Sequence, residues 1–458
     1  MKKLFKATFF LVLLVVIAIY AVGVNIFKNN FMPNTYINGK DFGLTDKSKL
    51  YENYNSKYGE YKLKIVERDS EETIYSKSFD YTDTLDKGQT VEQNSLYWPA
   101  YILIRKDYKL KNTAKYDVEK FNQVLSNLKI NTVTRIEPQD ATVVYDGNSF
   151  IIKPEVYGNK INTDLFSKKV MAAVQNRDEV LDLEKDGIYY NPIVKKDDEK
   201  LISQMEQKNN LNKFEITYDF ADRTEVLKNE ALVNLYSPNE KNLLVPDIEK
   251  VEQYIKYIAG KYDTFKTTRD FQTTGLGMAR VSGGIYGWMT DVKSSTAELV
   301  KALENTKTVT LKPVYRLEGY RRETNDIGNS YIEIDLGRQH MWMYKDGQKV
   351  LETPIVSGNP NLGNATPTGT QKVWAKETNR MLKGATWESH VNYWMPFDWT
   401  GCGLHDSTWR STYGGSIYKY NGSHGCVNTP PSIMPTLYSN AFYNMPVVVY
   451  DSNTQMVS

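Results

Sequence analysis

The residues best suited to chemistry lie close together near the C-terminus. Cys426 directly follows His424-Gly425, and a second imidazole, His405, stands 21 residues before it. A cysteine thiol becomes a good nucleophile once a neighbouring base takes its proton. His405 is of the type to take that proton and later return it to a leaving amine. Gly425 leaves the backbone bare beside the thiol, so a carbonyl can approach, and the N–H groups of Gly425 and Cys426 are candidates to face a developing oxyanion. Ser423 and His424, just before them, complete the candidate site segment. Asp406 is a candidate to orient the imidazole, as the third member of a triad does. Neighbouring side chains in an extended segment point to opposite faces, however, so a backbone carbonyl is an equally good candidate.

Two other readings use the same residues. Cys402, His405, His424 and Cys426 have the soft-ligand character of a structural zinc site. Cys402 and Cys426, the only cysteines, could also pair outside a membrane. A buried free thiol at Cys402 is the simpler alternative. Around them, Trp394 and Phe397 are candidates to line a cleft, and Arg410 could meet a substrate carboxylate through its planar fork. His340 and His390 are expected to be structural or exposed. The chain has no P-loop, dinucleotide fingerprint or HExxH motif, and no metal or organic cofactor is required.

The elements that must position these residues are strands. Period-two alternation marks Tyr331–Leu336, Gln339–Tyr344 and Lys349–Val356, with an Asp346-Gly347 hairpin turn between the last two. Short strands are expected near Gln371–Ala375 and Val447–Tyr450. Asn428 or Thr429, just before Pro430, is expected to cap a helix through Leu437.

His405, seventeen residues, then Ser423-His424-Gly425-Cys426-Val427-Asn428 resembles L,D-transpeptidase catalytic domains of the YkuD type. Thr366-Pro367-Thr368-Gly369 and Met395-Pro396-Phe397 are similar to further segments of that family. The resemblance implies a β-sandwich-like domain. It implies that Cys426 attacks the bond before the terminal D-Ala of a peptidoglycan tetrapeptide stem and forms a thioester. An amine of a second stem then resolves it, giving a 3→3 cross-link. His405 is by resemblance the proton donor and acceptor, and carbapenems are implied covalent inhibitors. Resolution by water would instead make an L,D-carboxypeptidase, and a degenerate site would leave a non-enzymatic wall-binding protein.

The rest of the chain is read as carrying this domain to its substrate. Its 458 residues suit about three domains. With 57 Lys and Arg against 55 Asp and Glu, the net charge of +2 argues against a nucleic-acid partner. The uncharged run from Ala7 to Phe27 is near the ~20 residues a bilayer-spanning helix needs. Lys2, Lys3 and Lys6 before it place the N-terminus inside. The expectation is an uncleaved signal anchor with the catalytic domain on the cell-wall side; cleavage near Ala21-Val22-Gly23 is the alternative.

Beyond the anchor, Asp117 and Asp247 are expected to cap helices, the second ending at Gly260. Pairs such as Val170/Leu299, Ala173/Ala302 and Val180/Val309 share an offset of 129, which indicates an internal repeat. The second copy carries a candidate Ser295/Glu298 capping box. The repeat resembles peptidoglycan-binding modules that precede some wall enzymes, with Tyr286-Gly287-Trp288 and Asp291 as the best local match; a stiff spacer is the competing role. The expected organisation is α+β overall: stub and anchor 1–30, modules 31–200 and 201–325, a mainly-β catalytic domain 326–452, and a tail 453–458.

Overall fold

Asp117 accepts the Lys120 N–H and opens the helix Val118–Ser126; Asp247 accepts the Glu249 and Lys250 N–H groups and opens Ile248–Tyr262. Such caps satisfy backbone donors that the first helical turn leaves without partners. Gly260 lies inside the second helix rather than past its end. Ile258 and Tyr262 are both buried in the same core, which outweighs the ~1 kcal/mol that an interior glycine costs.

The computed structural model describes residues 2–58, 61–384 and 387–457. Met1 of the stub and Ser458 of the tail lie outside the described residues. The chain forms two compact units, one of residues 1–142 and 153–198, the other of 143–152 and 199–458. The first begins with an apolar helix, Lys2–Asn29. Phe27 in its last turn is buried, as are Phe31 and Met32 just after it, and Phe31 joins a small core with Ile37, Phe42 and Tyr54. A larger core of this unit packs Leu63, Ile65, Phe79, Phe121 and Val170.

Each unit contains one copy of the repeat. In the first, the helix Thr163–Asn176 leads to the strand Val180–Asp182; in the second, Val292–Asn305 leads to Val309–Leu311. The caps keep the same offset. Asn162 accepts the Leu165 N–H and Asp291 accepts the Ser294 N–H. Both helices end on a left-handed residue, Arg177 or Thr306. Each final strand pairs in parallel with an upstream strand that belongs to an antiparallel hairpin.

The Ser295/Glu298 capping box does not form. Asp291 is the cap, and Ser295 is buried within the helix, where its hydroxyl meets the Val314 backbone. The local match at Tyr286–Asp291 is likewise committed to structure. Tyr286 is fully buried with its hydroxyl on the Asp326 carbonyl and the Tyr320 N–H. The Trp288 indole N–H donates to the Arg321 carbonyl.

The C-terminal part of the second unit is β-rich and, among the described residues, contains no closed barrel. One sheet has five strands in the order 348–354, 340–345, 331–335, 446–450, 369–372; the other has four, 377–383, 388–396, 403–406, 427–429. Ile332, Met341, Met395, Leu404, Val427 and Val449 form the core shared by the two sheets. The second repeat packs directly on the five-stranded sheet: the Tyr286 N–H donates to the Thr370 carbonyl at 3.0 Å, and Thr370 N–H to the Gly283 carbonyl at 3.1 Å. Asn428 and Thr429 lie in the strand Val427–Thr429, and neither caps a helix. The helix that follows, Met434–Asn440, has no side-chain cap.

Candidate active site

His405 and Cys426 arrive on adjacent parallel strands. Gly403–Asp406 pairs with Val427–Thr429 in the register Leu404↔Val427 and His405↔Asn428, so Cys426 lies just before its strand begins. On the other side, His405 stands opposite Trp394. Strand alternation sends Leu404 into the core and His405 to the opposite face. His405 and Cys426 both line a cavity of about 440 Å³, together with Ser423, His424, Trp409 and Arg410.

The orienting group of His405 is a backbone carbonyl. Its Nδ1 lies 2.8 Å from the Asp406 carbonyl oxygen, which can only accept, so Nδ1 carries the proton and Nε2 is left as the basic nitrogen. The Asp406 carboxylate does not serve the imidazole. It accepts the Asn392 and Tyr393 N–H groups, both at 2.8 Å, and the Asn392 side-chain amide at 2.7 Å. It therefore ties the neighbouring strand. Burial holds His405 below the ordinary histidine range, partly countered by the Asp406 carbonyl, so the resting ring is neutral.

Burial also pushes the Cys426 thiol up to about 12, against the opposing Gly403 N–H. The thiol and the imidazole that share this cavity are thus both neutral at rest.

The turn before Cys426 is fixed from several directions. Ser423 Oγ donates to the Cys426 carbonyl and accepts the Gly425 N–H at 3.1 Å. That amide is therefore engaged in the resting turn, contrary to its expected role as a free oxyanion donor, while the Gly403 N–H acts to lower the thiol pKa. Thr366 Oγ1 donates to the Gly425 carbonyl at 2.7 Å and accepts the Gly358 N–H at 2.9 Å. Gly425 has φ +121, and a Cβ there would come within 2.7 Å of Cys402 Sγ, so the position requires glycine.

Both cysteines are free, and Cys402 is buried. Among the described residues no group of three or more His, Cys, Asp or Glu could hold a metal ion, which removes the four-ligand zinc reading.

Of the expected cleft residues, Trp394 lines a second cavity of about 1060 Å³ that also reaches Cys426. Phe397 does not line either cavity. It is fully buried in the sheet–sheet core, because it shares strand parity with Met395 rather than with Trp394. Arg410 lines the smaller cavity and donates to the Asn421 carbonyl at 2.8 Å, while its Nε is buried without a partner.

Three contributors lay outside the sequence reading. Trp387 stacks on His424 at 5.1 Å, and Trp409 lies 5.8 Å from His405. Asp398 accepts the Cys402 N–H at 2.8 Å and the Thr400 hydroxyl at 2.6 Å. It fixes the turn that places the Gly401 carbonyl 3.9 Å from Cys426 Sγ. An Asp two residues before Thr is a readable turn signal; nothing local marks the two tryptophans.

Comparison with known proteins gives this arrangement a family. Residues 329–449 match the L,D-transpeptidase catalytic domain (YkuD), and 71–182 match the "Putative peptidoglycan binding domain". The crystal structure of a cysteine-to-serine mutant of an Enterococcus faecium L,D-transpeptidase is 38% identical over 54% of this chain and 100% of its own, with a TM-score of 0.49. The chain belongs to the L,D-transpeptidase family. A second L,D-transpeptidase structure, an avibactam carbamoyl enzyme, is 39% identical over 55% of this chain and 99% of its own, TM-score 0.49. The catalytic domain of the E. faecium enzyme, acylated by ertapenem, is 53% identical over 27% of this chain and 97% of its own, TM-score 0.25. No curated protein matches the chain. Its transpeptidase domain thus contains both cavities and the Cys426–His405 pair.

Proposed function

We propose that this transpeptidase is a cysteine-dependent enzyme that forms 3→3 cross-links between peptidoglycan tetrapeptide stems. The observation that carries the reading is that Cys426 and His405 open on one cavity while the Asp406 carbonyl fixes the His405 tautomer. His405 Nε2 takes the thiol proton as sulfur attacks the carbonyl of the third stem residue. It then gives that proton to the D-Ala nitrogen, which leaves with its carboxylate. A side-chain amine of a second stem attacks the thioester, loses a proton to His405 and restores the thiol.

This sequence assigns the two cavities. The leaving D-Ala and the incoming amine both exchange protons with His405, so they occupy the 440 Å³ cavity in succession. Arg410 lines that cavity, and its guanidinium suits the D-Ala carboxylate. The acylated stem then lies in the larger cavity, between Trp394 and Trp387. Carbapenems and avibactam are expected to modify Cys426, as they modify the related enzymes.

The apolar helix, long enough from Lys6 to Asn29 to cross a bilayer, is read as an anchor that leaves the transpeptidase domain on the cell-wall side. The first repeat, within the match over 71–182, is read as engaging peptidoglycan or spacing the domain from the membrane.

Intact-protein mass spectrometry tests the chemistry. With a disaccharide-tetrapeptide, Cys426 should gain the mass of the stem minus D-Ala, and Cys426→Ala should gain nothing. Absence of an adduct on the reduced native chain would overturn the reading. An adduct released only to water, even with an amine acceptor present, would make the enzyme a carboxypeptidase.

A further inference from the structure

The apolar helix is not joined to its module by a loose linker. Lys47 Nζ donates to the Phe27 and Lys28 carbonyls at 2.9 and 3.3 Å, which satisfies acceptors that a helix end leaves open. A second segment lies against the same helix two turns further back. Trp98 donates through its indole to the Tyr20 carbonyl at 3.2 Å, and Tyr20 OH donates to the Leu96 carbonyl at 3.0 Å. The Trp98 ring covers Gly23 so closely that a Cβ there would come within 2.3 Å, and it packs on Phe27 at 5.5 Å.

The segment that Trp98 belongs to is uncharged from Leu96 to Ile104 and is bounded by Arg105 and Lys106. Its apolar side chains face outward: Leu96 is 53% exposed, Ile102 51%, Ile104 50% and Leu103 89%. Its backbone is nonetheless well paired. The Tyr101 and Ile102 carbonyls both accept from Asn34 Nδ2 at 2.8 Å, and Leu103 and Ile104 both donate to the Ala100 carbonyl. Exposed leucine and isoleucine over a satisfied backbone is what hydrocarbon, not water, favours.

We infer that Leu96–Ile104 is a second membrane contact, buried in the outer leaflet beside the anchor; this rests on the reading of the apolar helix as an anchor. The occupant is fixed by continuity. Trp98 touches the helix at Gly23, and a rise of about 1.5 Å per residue puts that contact roughly 6 Å below Phe27, where the span ends. Interfacial segments commonly sink about 5–10 Å into a leaflet. Tyr20, Tyr97 and Trp98 supply the aromatic belt of such a boundary, and Arg105 and Lys106 follow at headgroup level. The first module would thus stand directly on the bilayer, held at two points.

The test uses the full chain with Cys402→Ser and Cys426→Ser, reconstituted in vesicles of equal phosphatidylcholine and phosphatidylglycerol. Nitroxide labels are placed singly at Leu103→Cys, at Val16→Cys in the helix, and at Ile193→Cys, 89% exposed. Relaxation by oxygen, which concentrates in lipid, is compared with relaxation by a water-soluble nickel chelate. The expected result is a several-fold higher oxygen-to-nickel ratio at position 103 than at 193, approaching that at 16. A water-like ratio at 103 with a lipid-like ratio at 16 would overturn the inference and leave the anchor intact. Shielding of 103 from both agents would mean that protein, such as a second copy of the chain, covers the segment, and would also overturn it. A water-like ratio at 16 would remove the anchor reading itself and this inference with it.

Discussion

The two cavities that meet at Cys426 are built differently. The wall that holds His405 is closely tied: the imidazole is 3% exposed, its Nδ1 is held by a carbonyl, and its strand is tied to the next by the Asp406 carboxylate. The larger cavity is lined in part by the hairpin of Glu377–Lys383 and Glu388–Pro396, whose outer strand is mostly exposed and which reaches the first cavity through Leu382 and Ser389. Proton transfer demands fixed distances, whereas holding a branched peptide demands room. On the proposed mechanism the contrast separates chemistry from accommodation, and substitutions on the two walls should fail in different ways.

The largest effect should come from the closely tied wall. His405→Ala should slow acylation by about 10²–10⁴-fold, the usual worth of a positioned base, with the fold retained; stopped-flow acylation by a carbapenem measures it. A loss below tenfold would mean that the thiol ionises without His405. In the native enzyme, burial holds His405 below the ordinary histidine pKa. The basic form is thus present throughout the neutral range, and acylation should fall only at pH below that range. The thiol, pushed up to about 12, should add no ionisation near neutrality.

Arg410→Ala comes next. Loss of a charge-assisted bond worth about 1.5–3 kcal/mol should lower kcat/KM for the tetrapeptide by roughly 10–100-fold. Acylation by a donor amidated at the D-Ala carboxylate should change much less. Arg410 also contributes to the lowering of the His405 pKa. The substitution should therefore move the acid limb toward higher pH, a shift that a purely structural role would not produce.

Thr366→Val tests the support beneath both walls. It strands the Gly425 carbonyl and the Gly358 N–H in a buried turn, which should cost about 1–3 kcal/mol in denaturant melts. Thr366→Ser, which keeps the hydroxyl, should recover most of it.

How much of this was legible in the sequence follows from the range of each contact. Cys426, Gly425 and Ser423 are neighbours in the chain, so the turn that presents the thiol could be read from its residue types. The choice of a carbonyl over the Asp406 carboxylate was also open to strand alternation. Phe397 was misassigned by neglect of the same rule, since it shares parity with buried Met395 and Trp394 does not. The repeat showed through its constant offset because caps and buried helix positions recur, whereas the capping box failed because Ser295 is needed inside. Trp387, Trp409 and the Thr366–Gly425 bond escaped notice for a different reason. They depend on where distant segments meet, and no local pattern encodes that meeting.

The smallest effect belongs to the open wall and decides whether the contrast is real. Trp387 stacks on His424 at 5.1 Å and borders both cavities, yet it touches neither Cys426 nor His405 through a hydrogen bond. Aromatic stacking of this kind is worth about 0.5–1.5 kcal/mol, so Trp387→Ala should raise KM for the donor stem by roughly 2–10-fold. If the wall only accommodates, the limiting acylation rate and its pH profile should stay as in the native enzyme. The substitution leaves the Nδ1 contact of His405 and the Ser423 bonds of the turn untouched. A shifted acid limb or a large fall in kcat would show that the stacked pair also positions the thiol. The division between a fixed chemical wall and a permissive one would then fail at a residue that both cavities share.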